Sequence, residues 1–313
     1  MRKRLIAALV ILILLAGLTY LLYPTTANQI AGAEDYRIIR NYRQTVKQMT
    51  GEQILHRLED ADEYNAGVTE PKPKIGDVFT GKETMTLHRY EAPLNTGNGV
   101  LGILTIPDIG VLLPVYHESA EHGAATELVH LQGTHLPSET AGTHMVLAGP
   151  GIVSAGGFAG EIGLTGAWML EDLDRLTPGN LMILSVLDRT MVYQVEWVQT
   201  MSPEGLERLE LVPEADEDLL TLVTERKERR LLARGKRIAV TEAAGILKQT
   251  DRAQMMPDWE SILMLGIPVI ITGLIIMTVT ERIIKRRYRL PSVRDMETEN
   301  MKNTEKEEGK NEA

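Results

Sequence analysis

The chain has 313 residues, no cysteine and a formal net charge of −10 at pH 7. The missing thiol excludes disulfides, thiolate metal sites and a cysteine nucleophile. The acidic balance excludes the basic face on which nucleic-acid binding depends, and the length suits one domain of about 200 residues with appendages.

Residues 5–23 are an uncharged apolar run of 19 residues behind Arg2, Lys3 and Arg4. At about 1.5 Å per residue such a run crosses a hydrocarbon core of about 30 Å. It reads as an uncleaved transmembrane anchor. The rival reading is a cleaved signal peptide, whose apolar part is usually shorter and ends in a small-x-small site. Here the run ends in Leu21, Leu22 and Tyr23 before Pro24.

Apolar positions in residues 33–66 recur at helical spacing, which predicts two amphipathic helices broken near Gly51. Residues 69–81 are rich in Pro, Lys and Gly and read as a loop. Strands are predicted at 99–106 and 111–116 around a turn at 107–110. A helical piece is expected near 120–129, a strand at 145–148, and a glycine-rich surface loop at 151–166 that lacks a phosphate-binding lysine. A short helix near 169–176 and strands at 181–187, 191–201, 219–224 and 238–241 complete the series. Many short strands with few helices imply a mainly β fold, a closed barrel of about eight strands.

A second uncharged run of 19 residues, 262–280, is followed by a dense basic flank at 282–289. Cationic flanks stay on the cytoplasmic side. Both termini are therefore expected inside and residues 24–261 outside, with a polar tail at 291–313 expected to be disordered. The resulting division is an anchor (1–23), a helical pair with a lid-like loop (24–98), a barrel (99–245), a linker (246–261), a membrane helix (262–280) and a tail (281–313).

Six fragments carry a resemblance. They are G-I-L-T-I-P-D-I-G-V-L-L-P-V-Y-H at 102–117, V-H-L-Q-G-T-H-L-P at 129–137, G-T-H-M-V-L-A-G at 142–149, L-D-R-L at 173–176, T-L-V-T at 221–224 and R-L-L-A-R-G-K-R at 230–237. In this order and spacing the chain resembles the class C, pilin-type sortases over most of residues 34–241. The resemblance implies a sortase β-barrel, an N-terminal helical pair, a C-terminal membrane helix and a lid bearing Asp-Pro-aromatic. The stretch matching the lid is Asp77, Val78 and Phe79, without the proline. It reads equally as a lid or as a loop with one apolar anchor.

Sortases transfer acyl groups with a cysteine nucleophile, a histidine for the protons and an arginine that stabilises the oxyanion. In the family the cysteine directly follows T-L-x-T and the histidine follows V-L-T-G. Those positions here hold Glu225 and Pro150, while Arg230 stands before Leu231 and Leu232 as the family's arginine does. The spacing from Glu225 to Arg230 is shorter than the family usual. The two are expected to pair across the former cleft. His130 and His144 read as structural. His117, Glu118, Glu121 and His122 place their histidines five apart, about 140° around a helix, which does not suit a zinc helix. Ser154 and Thr224 are hydroxyls without a base placed by motif. No metal or other cofactor is expected.

The expectation is a membrane-anchored extracellular sortase-like protein without transpeptidase activity. It would act as a binding or accessory factor in pilus or surface-protein assembly. Its partner would be a pilin, a sorting-signal peptide or an active sortase, with no nucleic acid. The alternatives are an active transpeptidase or hydrolase using other residues, and a structural anchor unrelated to surface assembly.

Overall fold

The computed structural model describes residues 31–68, 79, 90, 92–119, 122–154, 165–207 and 216–241, together with Gly17. The apolar runs at 5–23 (Gly17 apart) and 262–280, the tail and Asp77 lie outside the described residues. Among the described residues no helix is long and apolar enough to cross a membrane.

Two helices precede the barrel. The first, α1 (31–48), is followed by α2 (Gly51–Ala66). The break predicted near Gly51 is a capping box. The Gln53 N–H donates to Thr50 Oγ1 at 3.2 Å and the Thr50 N–H donates to Gln53 Oε1 at 2.8 Å, satisfying two donors that a helix start leaves open. Both helices are tied to the barrel by buried polar contacts. Tyr42 Oη donates to the Leu101 carbonyl at 3.1 Å and accepts from the Leu187 N–H at 2.7 Å. Asn65 exchanges two hydrogen bonds with the Leu136 backbone.

The strands are β1 (Val100–Ile106), β2 (Val111–His117), β3 (Val129–His130), β4 (His144–Pro150), β5 (Ile152–Ser154), β6 (Thr165–Trp168), β7 (Leu181–Val186), β8 (Arg189–Met201), β9 (Leu219–Arg226) and β10 (Arg229–Ile238). Eight of them close a barrel in the order β1-β2-β3-β4-β9-β10-β8-β7, and β5 pairs with β6 apart from it. Closure leaves no barrel edge unpaired. Six of the eight neighbouring pairs are antiparallel; β2 lies parallel to β3, and β4 lies parallel to β9, with His144 opposite Leu219 and Pro150 opposite Glu225. Strands β1 and β4 are buried at every position, so their apolar runs do not alternate with polar residues.

Three local expectations are corrected. Residues 122–128 are a turn that leads into β3, not a helix; the Thr126 and Glu127 N–H groups both close onto the Gly123 carbonyl, and Leu128 and Val129 are buried in the core. The glycine-rich stretch read as a loop begins and ends in strands, with Ile152 paired to Trp168, because Ile152 and Val153 are β-formers that find a partner across the loop. The last strand lies at Arg229–Ile238 rather than 238–241, and residues 240–241 are helical. Its charges hid it from a hydrophobicity reading. Arg234 and Arg237 meet Glu196 (3.2 Å) and Asp218 (3.1 Å), and Lys236 pairs with Glu217.

Candidate functional site

The site is a row across three adjacent strands. Pro150 at the end of β4 lies opposite Glu225 on β9, and Glu225 lies opposite Arg230 on β10. Residues directly opposite on neighbouring strands share a face, so these side chains are immediate neighbours. Only two residues, Lys227 and Glu228, join β9 to β10. Lys227 takes a left-handed backbone conformation, φ 59°, which a non-glycine residue adopts at a cost and which the tight turn imposes.

Arg230 Nη1 donates to Glu225 Oε1 at 3.0 Å. The two partners are unequally immersed: the Arg230 side chain is 7% exposed and that of Glu225 is 41% exposed. The guanidinium also lies 4.9 Å from the centre of the Phe79 ring, a distance at which a cation is attracted to a ring face. Phe79 is itself buried. Arg230 is thus held from one side by a carboxylate and contacted by an aromatic ring.

Two buried polar atoms beside this pair have no partner among the described residues: Arg230 Nε and Thr224 Oγ1. Thr224 is 2% exposed. Its hydroxyl therefore lacks the hydrogen-bonded base that a nucleophile requires. Ser154 is placed at the end of β5. Next to Pro150, the wall is fixed by backbone bonds from Met169 to the Gly151 carbonyl (2.8 Å) and from Leu170 to the Pro150 carbonyl (3.2 Å). A Cβ at Gly151 would stand 2.9 Å from Glu171 Oε2, so a larger residue there would displace the Glu171 carboxylate.

The short helix expected near 169–176 is a 3-10 helix at Glu171–Arg175 facing the end of β9; sequence reasoning missed its contact with Arg226. Arg226 pairs with Asp174 and lies 3.9 Å from Glu171. The available signal was E-D-L-D-R itself, three carboxylates in five residues.

His130 and His144 lie inside the fold. His130 Nε2 is 2.9 Å from the His135 carbonyl, so this nitrogen donates, and Nδ1 lies 2.9 Å from Tyr90 Oη. Complete burial holds its imidazole down to about 3. His144 Nε2 meets Thr221 Oγ1 at 2.8 Å. His122 bonds Glu127 through Nδ1 at 2.6 Å and stacks on Tyr116. Among the described residues, no group of three acidic or histidine side chains is placed to hold a metal ion.

The sortase domain model matches residues 104–241 of this chain. Sortase C1 from Streptococcus agalactiae is 30% identical, with a TM-score of 0.53 and an alignment covering 65% of this chain and 98% of that one. A sortase C from Streptococcus pneumoniae, described for its catalysis and pilin substrate specificity, is 26% identical over 65% of this chain and 97% of its own, with a TM-score of 0.52. No curated protein sequence matches. The chain belongs to the sortase family. Within it, the solved structures to which it is similar are class C, pilin-type sortases.

Proposed function

We propose that this protein is a membrane-tethered, extracellular sortase homologue that does not transfer acyl groups and acts by binding in pilus or surface-protein assembly. The observation that carries this reading is the row Pro150, Glu225, Arg230. The position that matches the family's histidine holds Pro150, which has no titratable group, and the position that matches its cysteine holds Glu225, which cannot form a thioester. The carboxylate at 225 is engaged with the arginine at 3.0 Å, and its negative charge sits where an oxyanion would have to develop. The apolar runs at 5–23 and 262–280 support the membrane tether, and their basic flanks support an outward-facing barrel. The similarity to class C sortases supports a pilin, a sorting-signal peptide or an active sortase as the partner.

The test incubates the full-length protein in detergent with sorting-signal peptides and pilin subunits, following products by mass spectrometry and association by co-purification. Association without cleavage or ligation is expected. A ligated or hydrolysed product that disappears on Glu225→Gln or Arg230→Ala would overturn the proposal in favour of a transpeptidase working through other residues.

A further inference from the structure

A groove of about 620 Å3 lies between the start of α1, the turn joining β1 to β2, and residues 168–172. Its floor includes Ile109, Leu112 and Met169, all partly buried against the core. Among the described residues that line it, three are carboxylates, Asp35, Glu171 and Asp172, and none carries a positive charge. Two aromatic side chains line it as well. Tyr36 is 51% exposed and Trp168 is 55% exposed, and they are two of the four large hydrophobic residues left exposed among the described residues.

These features converge on an organic cation. Ring faces attract ammonium and guanidinium groups, with tryptophan the strongest, and carboxylates supply the counter-charge. Glu171 and Asp172 have cations nearby, Arg226 at 3.9 Å and Arg175 at 3.1 Å, but these pairs are exposed and screened by solvent. Asp35 has no basic partner among the described residues. Burial and the neighbouring charges of Glu127 and Glu34 push its carboxyl up to about 6. Among the described residues no three acidic groups of this groove are placed to hold a metal ion.

We propose that this groove binds a lysine- or arginine-bearing segment of a partner polypeptide, with the cation against the three carboxylates and two exposed rings and apolar flanking residues on the floor. That the occupant is a polypeptide rests on the binding role proposed above. Its charge and its apolar flanks rest on the groove alone. The groove is joined to the Glu225–Arg230 row through the backbone bonds from 169 and 170 to Gly151 and Pro150, but it shares none of the row's side chains.

The experiment titrates the full-length protein with the blocked pentapeptide acetyl-Ala-Leu-Lys-Leu-Ala-amide. Comparison probes are its arginine, acetyl-lysine and glutamate counterparts and the small molecule Nα-acetyl-lysine amide. The lysine and arginine peptides are expected to bind about tenfold or more tightly than the acetyl-lysine peptide, with Trp168→Ala and Asp35→Asn each weakening them about tenfold. Tyr36→Ala, at an exposed helix position, repeats the test should Trp168→Ala disturb folding, and melting temperatures of all variants are compared. Equal binding of the lysine and acetyl-lysine peptides, or affinity untouched by these substitutions, overturns the proposal. Binding of the small amide as tight as that of the peptide overturns the polypeptide occupant while leaving the cation site. Because these probes contain no sorting motif, their failure leaves the reading of the Glu225–Arg230 row standing, and Glu225→Gln is expected to leave their binding unchanged.

Discussion

Around Tyr90 and His130 the buried polar atoms of the described residues are matched to partners with one exception, whereas around Glu225 and Arg230 two of them are left over. Tyr90 Oη accepts the Glu118 N–H at 3.2 Å and reaches both the carbonyl and Nδ1 of His130. Thr134 Oγ1 donates to the Leu131 carbonyl at 2.8 Å and accepts from the Val146 N–H at 3.3 Å. One atom at the margin of this region, His117 Nε2, lacks a partner. The row at the end of β9 instead keeps an arginine and a threonine buried with Nε and Oγ1 unmatched among the described residues. A polar group buried without a partner costs free energy, so folds retain few of them. The first region is internal scaffolding. In the second, two buried polar atoms are unmatched among the described residues.

The strongest way to break the comparison is acid. Burial holds His130 down to about 3 and His117 down to about 4, against 6.5 for an exposed imidazole. Below 6.5 the unfolded chain takes up protons that the folded chain refuses, so stability falls as pH drops from about 6.5 toward those lower values. The loss should reach about 2 kcal/mol for each of the two histidines by pH 5, measured as a shift in the denaturant midpoint. A flat profile from pH 7 to 5 would remove the distinction between the two regions.

Substitution of hydroxyls sharpens it next. Thr134→Val should cost about 2 kcal/mol, because it leaves the Val146 N–H without its hydroxyl acceptor inside the barrel and removes the hydroxyl beside His130. Thr224→Val should be neutral within about 0.5 kcal/mol or slightly stabilising, since its hydroxyl has nothing to lose. Equal costs at 134 and 224 would show that Thr224 has a partner after all. Between these two lies Glu225→Gln, expected to cost about 1 kcal/mol, since the carboxylate is 41% exposed and solvent screens much of the pair.

Much of the barrel was legible in the sequence, because β1, β2, β7 and β8 are apolar runs bounded by turn residues. What failed followed from charge or from glycine. Strand β10 carries Arg229, Arg230, Arg234, Lys236 and Arg237, and pairing across strands is invisible to a hydrophobicity reading. Strands β5 and β6 are short and separated by glycines, so their partner is defined only in space. For the site, residue order located Pro150, Glu225 and Arg230, but not that they form one row, nor that Phe79 lies against the arginine. Those facts depend on the parallel register of β4 and β9 and on a loop contact. The partnerless Thr224 hydroxyl and the acidic wall at 171–174 had no sequence signal beyond composition.

The parallel β4–β9 pair also has a kinetic meaning. Every contact in it joins residues about 75 positions apart, as His144 to Leu219 and Pro150 to Glu225, and β1 meets β7 over a similar span, Ile103 to Ser185. The entropy of closing such loops must be met before any of these contacts stabilises the chain. The barrel should therefore fold on the millisecond-to-second scale of non-local β topologies. Until the ends of β4 and β9 come together, Glu225 and Arg230 form only a local hairpin with an exposed ion pair. The row exists as a surface only once these non-local contacts have formed.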